Sequence, residues 1–289
     1  MRSNTGKIRD ISLSLFCNEE YRHELIRDGV RPFLQLEDVQ SRVRGYHLCF
    51  SSYRGNNVRL HLFAPGRYCK KVSREADKFF KAYFGQTAFT AEETPIRKWH
   101  SFMPFPPNTI QYGLYYENTD RFELSWQKFR EHLSVLIMEL LCQEPIDEKG
   151  RITFALYLHL VLVDTFTELS PEHRREAEAF YKMKAMPAFP AGPSLGAFEM
   201  DPQQLWDIRQ KVSAEMSDPD GWYSQWKNAC ELALTELSKK GMANADGKLA
   251  SLFKVSGEIN EQLDIRDDSF EALWLILIRI YKEAQPQTV

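Results

Sequence analysis

Cysteine is scarce in this chain. Cys17, Cys49, Cys69, Cys142 and Cys230 are the five present, and no two stand at a close-pair spacing. That argues against a zinc site or a disulfide framework and suits a reducing cytoplasm. His100 and His132 lack a ligand-spaced partner, so no metal is expected; no cofactor is expected either. Charge of one sign is also short. The 37 Lys and Arg against 40 Asp and Glu leave a net −3, with a pI near 6.2, which gives no footprint for nucleic acid. The basic clusters Cys69-Lys-Lys71 and Arg42-Val-Arg44 are short enough to be solvated surface. Long apolar runs are missing as well. The longest, Ile152 to Val163, is too short to span a bilayer and carries His159, so it reads as a buried helix with a hydrogen-bonded core histidine. Met1 to Lys7 is polar with no apolar stretch behind it, so no signal peptide is expected. Neither an internal repeat nor a low-complexity tract appears. The expectation is a soluble cytoplasmic protein with neither nucleic acid nor membrane as a partner. At 289 residues, 43% hydrophobic and 27% charged, it is long enough for one large domain or two small ones.

What is present concentrates in one block. Tyr46-His-Leu-Cys-Phe-Ser-Ser-Tyr53, Arg54-Gly-Asn-Asn57 and Val58-Arg-Leu-His-Leu-Phe63 read as two short strands joined by a tight turn. Val58, Leu60 and Leu62 alternate with Arg59, His61 and Phe63, so one strand presents an apolar and a polar face. Gly55 and the Asn56-Asn57 pair tolerate the positive φ that a reversal needs. A strand that sets Arg and His side by side suits the lining of a polar cleft as well as a solvated edge.

Around this block the first part of the chain, 1–122, is strand-rich. Ile8 to Phe16 alternates Ile11, Leu13 and Leu15 against polar residues, a strand with one buried face. Glu19 to Ile26 reads as a helical turn or two ending at Gly29, and Val30 to Leu34 as another short helix. Ser73 to Tyr83 reads as a helix with Phe79, Phe80 and Tyr83 on its apolar face, closed by Gly85. Pro104 to Asn108 forces a non-helical connection into the aromatic, strand-like Ile110 to Tyr116. From 123 to 289 the chain is mostly helical. Trp126, Phe129, Leu133, Leu136, Ile137 and Leu140 form a core stripe. Ser170-Pro171-Glu172 and Asp201-Pro202 are helix starts, Pro187 to Pro193 is a rigid loop, and Ser269 to Tyr281 is a last helix. The fold class expected is α+β in a single 1–289 domain, with a strand-rich first half flanked by helices and a helical second half.

The strand pair resembles that of the elimination domain of class I lantibiotic dehydratases, whose relatives include stand-alone thiopeptide biosynthesis proteins. In that family the strands read roughly Trp-Phe-Phe-Ile-Arg-Tyr and His-Leu-Arg-Leu-Arg. Here Phe50-Ser-Ser-Tyr53 and Asn57-Val-Arg-Leu-His61 stand in their places. Tyr53 and Arg59 match, whereas Ser52 and His61 replace arginines. A family segment reading roughly Tyr-x-x-Glu-x-x-Arg-Tyr-Gly-Gly is met by Tyr112 to Phe122, which keeps Arg121 beside an aromatic and carries Tyr116. Near the C-terminus a family Ser-Leu-x-His-Met-x-x-Asn-Arg-Leu pattern is met by Ser251-Leu-Phe-Lys254. Lys254 takes the histidine position, and Asn260 meets the asparagine only across an insertion near Gly257.

The resemblance implies an elimination-domain-like fold and a tailoring enzyme of ribosomally made peptides. Its partners would be a precursor peptide, through leader and modified core, and a partner dehydratase. Two chemistries exist in the family. Glutamate elimination needs a base for the α-proton and cations for the leaving carboxylates. A lysine base requires burial to lower its pKa by several units. The missing histidine and arginines remove both functions. Pyridine formation instead joins two dehydroalanines by a formal [4+2] cycloaddition and expels water and the leader. It needs proximity and hydrogen bonds to an amide tautomer. Tyr53, Arg59, His61, Arg121 and Lys254 are the catalytic candidates on this reading, and Ser52, Tyr112, Tyr116 and Asn260 the substrate-binding ones. Glutamate elimination and a non-catalytic leader-binding module stay as alternatives. Each residue also has a plainer role. Arg59 suits a surface ion pair, Arg121 a helix cap, Tyr53 and Tyr116 a half-buried sheet, and Lys254 an exposed helix face.

Overall fold

A computed structural model of the chain describes residues 7–87, 104–114, 124–143, 148–169, 202–215, 218, 221–239, 245–265 and 273–280. The chain divides into two compact units, one of residues 1–122 with 133–145 and one of residues 123–132 with 146–289. Among the described residues the last strand ends at Tyr112, and the next element is a helix that starts at Leu124.

The first unit is built on a four-stranded sheet. Its strands are β1 (Ile8–Phe16), β2 (Gly45–Ser51), β3 (Asn57–Pro65) and β4 (Thr109–Tyr112). They lie in the order β2-β3-β1-β4, and every pair is antiparallel. β1 runs as the alternation predicts, and β2 and β3 are the expected hairpin. The register Leu13↔Leu60 and Leu48↔Leu60 collects Ile11, Leu13, Leu15, Leu48, Phe50, Val58, Leu60 and Leu62 on one face, all buried. That face meets the helix α4 (Cys69–Gln86), whose buried stripe Val72, Ala76, Phe80, Phe84 repeats every fourth residue. Tyr112 Oη donates to Ser73 O (3.0 Å) on that side, and Phe80 packs on Phe33, ring centroids 5.0 Å apart.

Three glycine and turn expectations are corrected. Gly29 does not end a helix: it lies inside a continuous helical run from Glu19 through α1 (Arg22–Glu24) and a π-helical turn (Leu25–Val30) into α2 (Arg31–Gln35), which the short α3 (Glu37–Gln40) follows. A Cβ there would lie 3.1 Å from Leu25 and 3.2 Å from the Tyr83 ring, so glycine serves close approach. Pro32 has no N–H to continue the ladder, and the turn before it is wide. Gly85 lies within α4, and the helix stops at Thr87, whose N–H and hydroxyl both donate to Tyr83 O. In the hairpin the positive φ angles fall on Arg54 (57°) and Gly55 (113°), not on Asn56 or Asn57. Asn57 Nδ2 instead donates to Tyr53 O (3.2 Å) and Gly55 O (2.8 Å), and the Arg54 guanidinium lies 4.2 Å from the Phe105 ring.

The second unit is helical. The first half of α5 (Leu124–Gln143) carries Trp126 stacked on Phe129, which in turn meets Trp226 of α8 (Trp222–Lys239). Among the described helices α6 (Glu148–Leu169) alone has the length and composition to cross a membrane, but 67% of its most apolar stretch is buried inside the protein. Trp226 Nε1 donates to its Leu158 O (3.1 Å). Arg209 of α7 (Pro202–Glu215) forks onto Asp164 at 2.5 and 2.6 Å, a charge-assisted tie to α6. Arg130 and Gln262 both bind Glu258 Oε1, joining α5 to α9 (Ala245–Leu263). Leu273, Trp274, Leu277 and Ile280 of the helix at 273–280 are buried, as the spacing implied. The expected helix start at Ser170, the Pro187–Pro193 loop and Phe270 lie outside the described residues.

The hairpin turn gives a test of the fold. A Cβ at Gly55 would meet Phe105 O at 3.3 Å, at a φ that side chains rarely adopt. Gly55→Ala is expected to cost about 1–2 kcal/mol in urea unfolding. A wild-type midpoint would show that this turn is not held as described.

Candidate functional site

The same register that builds the apolar face puts polar groups on the other. Asp10, Ser12 and Ser14 of β1, Asn57, Arg59 and His61 of β3, and His47, Cys49 and Ser51 of β2 all project there, with Ser12 opposite His61 and Ser14 opposite Arg59. A buried polar face is costly unless its groups are paired. His47, His61, Ser14, Ser51 and Asn57 are each at most 5% exposed, so this face lies in the interior and is not a solvated edge.

Ser51 is the node at the turn end. Its Oγ takes a hydrogen bond from Arg59 Nη2 (2.5 Å) and another from Tyr53 N (3.1 Å). Its carbonyl accepts from Arg22 Nη2 (3.4 Å), whose stronger bond is to Asn56 Oδ1 (2.8 Å). Arg22 is 1% exposed and lies over the Phe50 ring. Two guanidinium groups therefore brace one hairpin end, one through the serine hydroxyl and one through its carbonyl. Deep burial pushes the nearby Cys17 thiol up to about 12, against the opposing pull of Arg22, so it is an inert packing group. At the other end, His61 Nδ1 donates to Asp10 Oδ2 (2.9 Å), with the two side chains 2% and 5% exposed, and the His47 ring lies 5.4 Å from that of His61.

The sequence candidates thus separate. Arg59, Tyr53 and His61 come together on or beside the polar face, with Arg59 half-buried and Tyr53 48% exposed. Ser52 is exposed just past the end of β2. Tyr112 pairs with Leu13 and projects from the opposite face of the sheet from Arg59, so these two do not line one groove. Its hydroxyl is taken by Ser73 O, and burial pushes its pKa up to about 12. Arg121 and Tyr116 lie outside the described residues. In the helical unit, Lys254 is exposed, its Nζ 4.5 Å from the Trp126 ring centroid, so the burial that a lysine base requires is not there. Asn260 is 5% exposed and its Oδ1 accepts from His159 Nε2 (3.0 Å), an interior bond that makes it the partner of a core histidine. Asp10, His47, Ser51 and Arg22 are the residues the sequence reading missed. The signal available was Asp10 breaking into a strand on the same parity as Ser12 and Ser14. Among the described residues no group of three or more His, Cys, Asp or Glu is placed to hold a metal ion.

The fold is one already seen in solved structures. The chain superposes on the pyridine synthase TbtD from thiomuracin biosynthesis with a TM-score of 0.69 and 11% identity, over 95% of this chain and 97% of that one. TsrL gives 0.64 and 12% over 96% and 95%. The tRNA-dependent lantibiotic dehydratase MibB from Microbispora sp. 107891 gives 0.58 and 11%, over 97% of this chain but only 28% of its own length. No family model and no curated protein matches the chain. The fold is therefore α+β and of the lantibiotic-dehydratase and pyridine-synthase type that the sequence resembles.

Burial holds His159 neutral, with its pKa lowered to about 4 despite the opposing bond to Asn260. The unfolded chain binds this proton near 6.5 and the folded chain does not, so stability is full above about pH 6.5 and drains as pH falls toward 4. The expected loss is about 3 kcal/mol, read as a falling urea midpoint between these two pH values, and His159→Gln should flatten that slope.

Proposed function

We propose that this chain is a tailoring enzyme of ribosomally made peptides that joins two dehydroalanines of one precursor into a pyridine and releases the leader. The observation that carries this reading is the match in fold to a pyridine synthase over nearly the full length of both chains. The chemistry of the polar face supports it. Cycloaddition needs the two alkenes held close and hydrogen bonds to an amide tautomer. Arg59, held on Ser51, supplies a fixed donor beside the accessible Tyr53 and Ser52. Glutamate elimination is supported less, because the exposed Lys254 stands at the family histidine position and Ser52 and His61 at two arginine positions. The precursor would bind through its leader, extended along the end strand β4 or against the β2–β3 hairpin, with a dehydratase supplying the dehydroalanines.

Mass spectrometry of the purified protein with a leader-bearing dehydroalanine peptide is expected to show loss of leader and water. A glutamylated peptide is expected to stay unchanged, and loss of glutamate from it would restore elimination as the activity. Leader binding with no change in either peptide leaves a delivery module. Arg59→Ala is expected to lower kcat/KM by roughly 100-fold or more. Lys254→Ala is expected to stay within about twofold, since an exposed lysine contributes no base. Synthetic leader should bind at tens of micromolar or tighter, about −6 to −7 kcal/mol.

A further inference from the structure

We propose that the outward face of α4 is a docking surface for an extended, acidic segment of the precursor peptide, held by the row Lys70, Arg74 and Lys78; that the segment belongs to a precursor rests on the peptide-tailoring reading above. Residues 7–87 hold 15 Lys and Arg against 9 Asp and Glu, in a chain whose totals are 37 against 40. Positive charge is therefore segregated, and much of it converges where β1 and β2 begin and β3 ends. Arg42 and Lys71 meet on the one carboxylate of Asp38, the lysine at 3.6 Å. The Arg67 and Arg42 guanidinium groups lie 4.7 and 6.0 Å from the Tyr68 ring centroid. Lys7 O accepts from Gly66 N, and Arg44 N donates to Phe63 O, which places two more cations at the same end. Two basic clusters that stand apart in the sequence thus form one surface in the fold.

From this end the charge continues along α4. Lys70, Arg74 and Lys78 stand four residues apart and are all exposed, on the side away from the buried Val72, Ala76 and Phe80. Like charges at that spacing weaken a helix, and cations in its first turn oppose its dipole. The first turn of α4 holds no acid, and its N-cap residue makes no side-chain hydrogen bond. Among the described residues no carboxylate pairs with any of the three, whereas Lys81 is held by Asp77 at 2.8 Å. A row that destabilises the free protein fits a surface built to meet an anionic partner. Its members are about 6 Å apart along the axis, against about 6.6 Å between alternate residues of an extended chain, so acids at every second position meet them in turn. The bond from Tyr112 Oη to Ser73 O sets β4 beside Arg74, so the row runs next to a strand on which a leader would extend. Nucleic acid fits less well. Base stacking needs exposed aromatic faces, and none of Phe79, Phe80, Tyr83 and Phe84 on this helix is exposed.

Fluorescence anisotropy with a labelled synthetic peptide of about a dozen residues, glutamate at every second position, tests the surface apart from turnover. Wild type is expected to bind it at tens of micromolar in about 50 mM salt, more weakly as salt rises, and not to bind the glutamine analogue. Arg74→Glu carries its own folding control. It turns two repelling pairs into attracting ones, so its urea midpoint should rise while peptide affinity falls by roughly fivefold. K70E/R74E/K78E is expected to lose roughly tenfold or more, and Lys128→Glu on α5 less than about twofold. Affinity within about twofold of wild type in the triple variant overturns the proposal, as does tighter binding of a single-stranded RNA of equal charge. On a precursor that wild type converts, the triple variant should raise KM several-fold more than it lowers kcat, and an unchanged KM overturns the assignment to the precursor. If wild type converts neither peptide, the tailoring reading fails, and the binding constants alone decide whether α4 docks an acidic segment.

Discussion

The pairing of β3 against β1 constrains the first unit more than any other contact. Strand side chains alternate between faces, so a slip of one residue in the register Ser14↔Arg59, Ser12↔His61 would exchange the two faces of β3. Arg59 and His61 would then enter the layer packed on α4, and Val58, Leu60 and Leu62 would meet Asp10, Ser12 and Ser14. A charged group buried without its partner costs several kcal/mol, and each displaced leucine about 2 more. Neither cost has a compensating contact in the slipped arrangement. The apolar core and the polar face are consequently one commitment. Whatever chemistry resides beside Arg59 is held in place by leucines on the far side of the same strands.

Much of this was legible in the chain. Alternation in Ile8 to Phe16 and Val58 to Phe63 is a local signal, and the strands fall where it puts them. Helix spacing at Trp126, Phe129 and Leu133, and Pro202 at a helix start, are local as well. The misreadings share a cause. Gly29 and Gly85 look like helix ends until the neighbours are known: Tyr83 crowds the first, and no described residue crowds the second. Arg54 at positive φ depends on Phe105, which is distant in sequence.

The site was harder to read for the same reason at longer range. His61 and Asp10 are 51 positions apart, and Arg22 is 34 from Asn56. Nothing within a window of ten residues indicates either pairing. Tyr112 shows the opposite error, since a nearby aromatic-rich segment looked like a wall of the same cleft. Pairing with Leu13 turns it to the other face. Parity along a strand decides the side, and parity is fixed only once the partner strand is known.

Ser134 carries a consequence of a different kind. Its Oγ accepts the N–H of Leu48 (2.9 Å) on β2, the strand at one end of the sheet. A helix hydroxyl there occupies a position where a foreign strand would otherwise dock. Open strand edges are the usual nuclei of runaway self-association, and proteins commonly blunt them. With that border obstructed, an added strand cannot start from β2, the longer of the two end strands. Two molecules colliding in a crowded cell thus meet a blocked edge on that flank, which disfavours fibrillar stacking through β2.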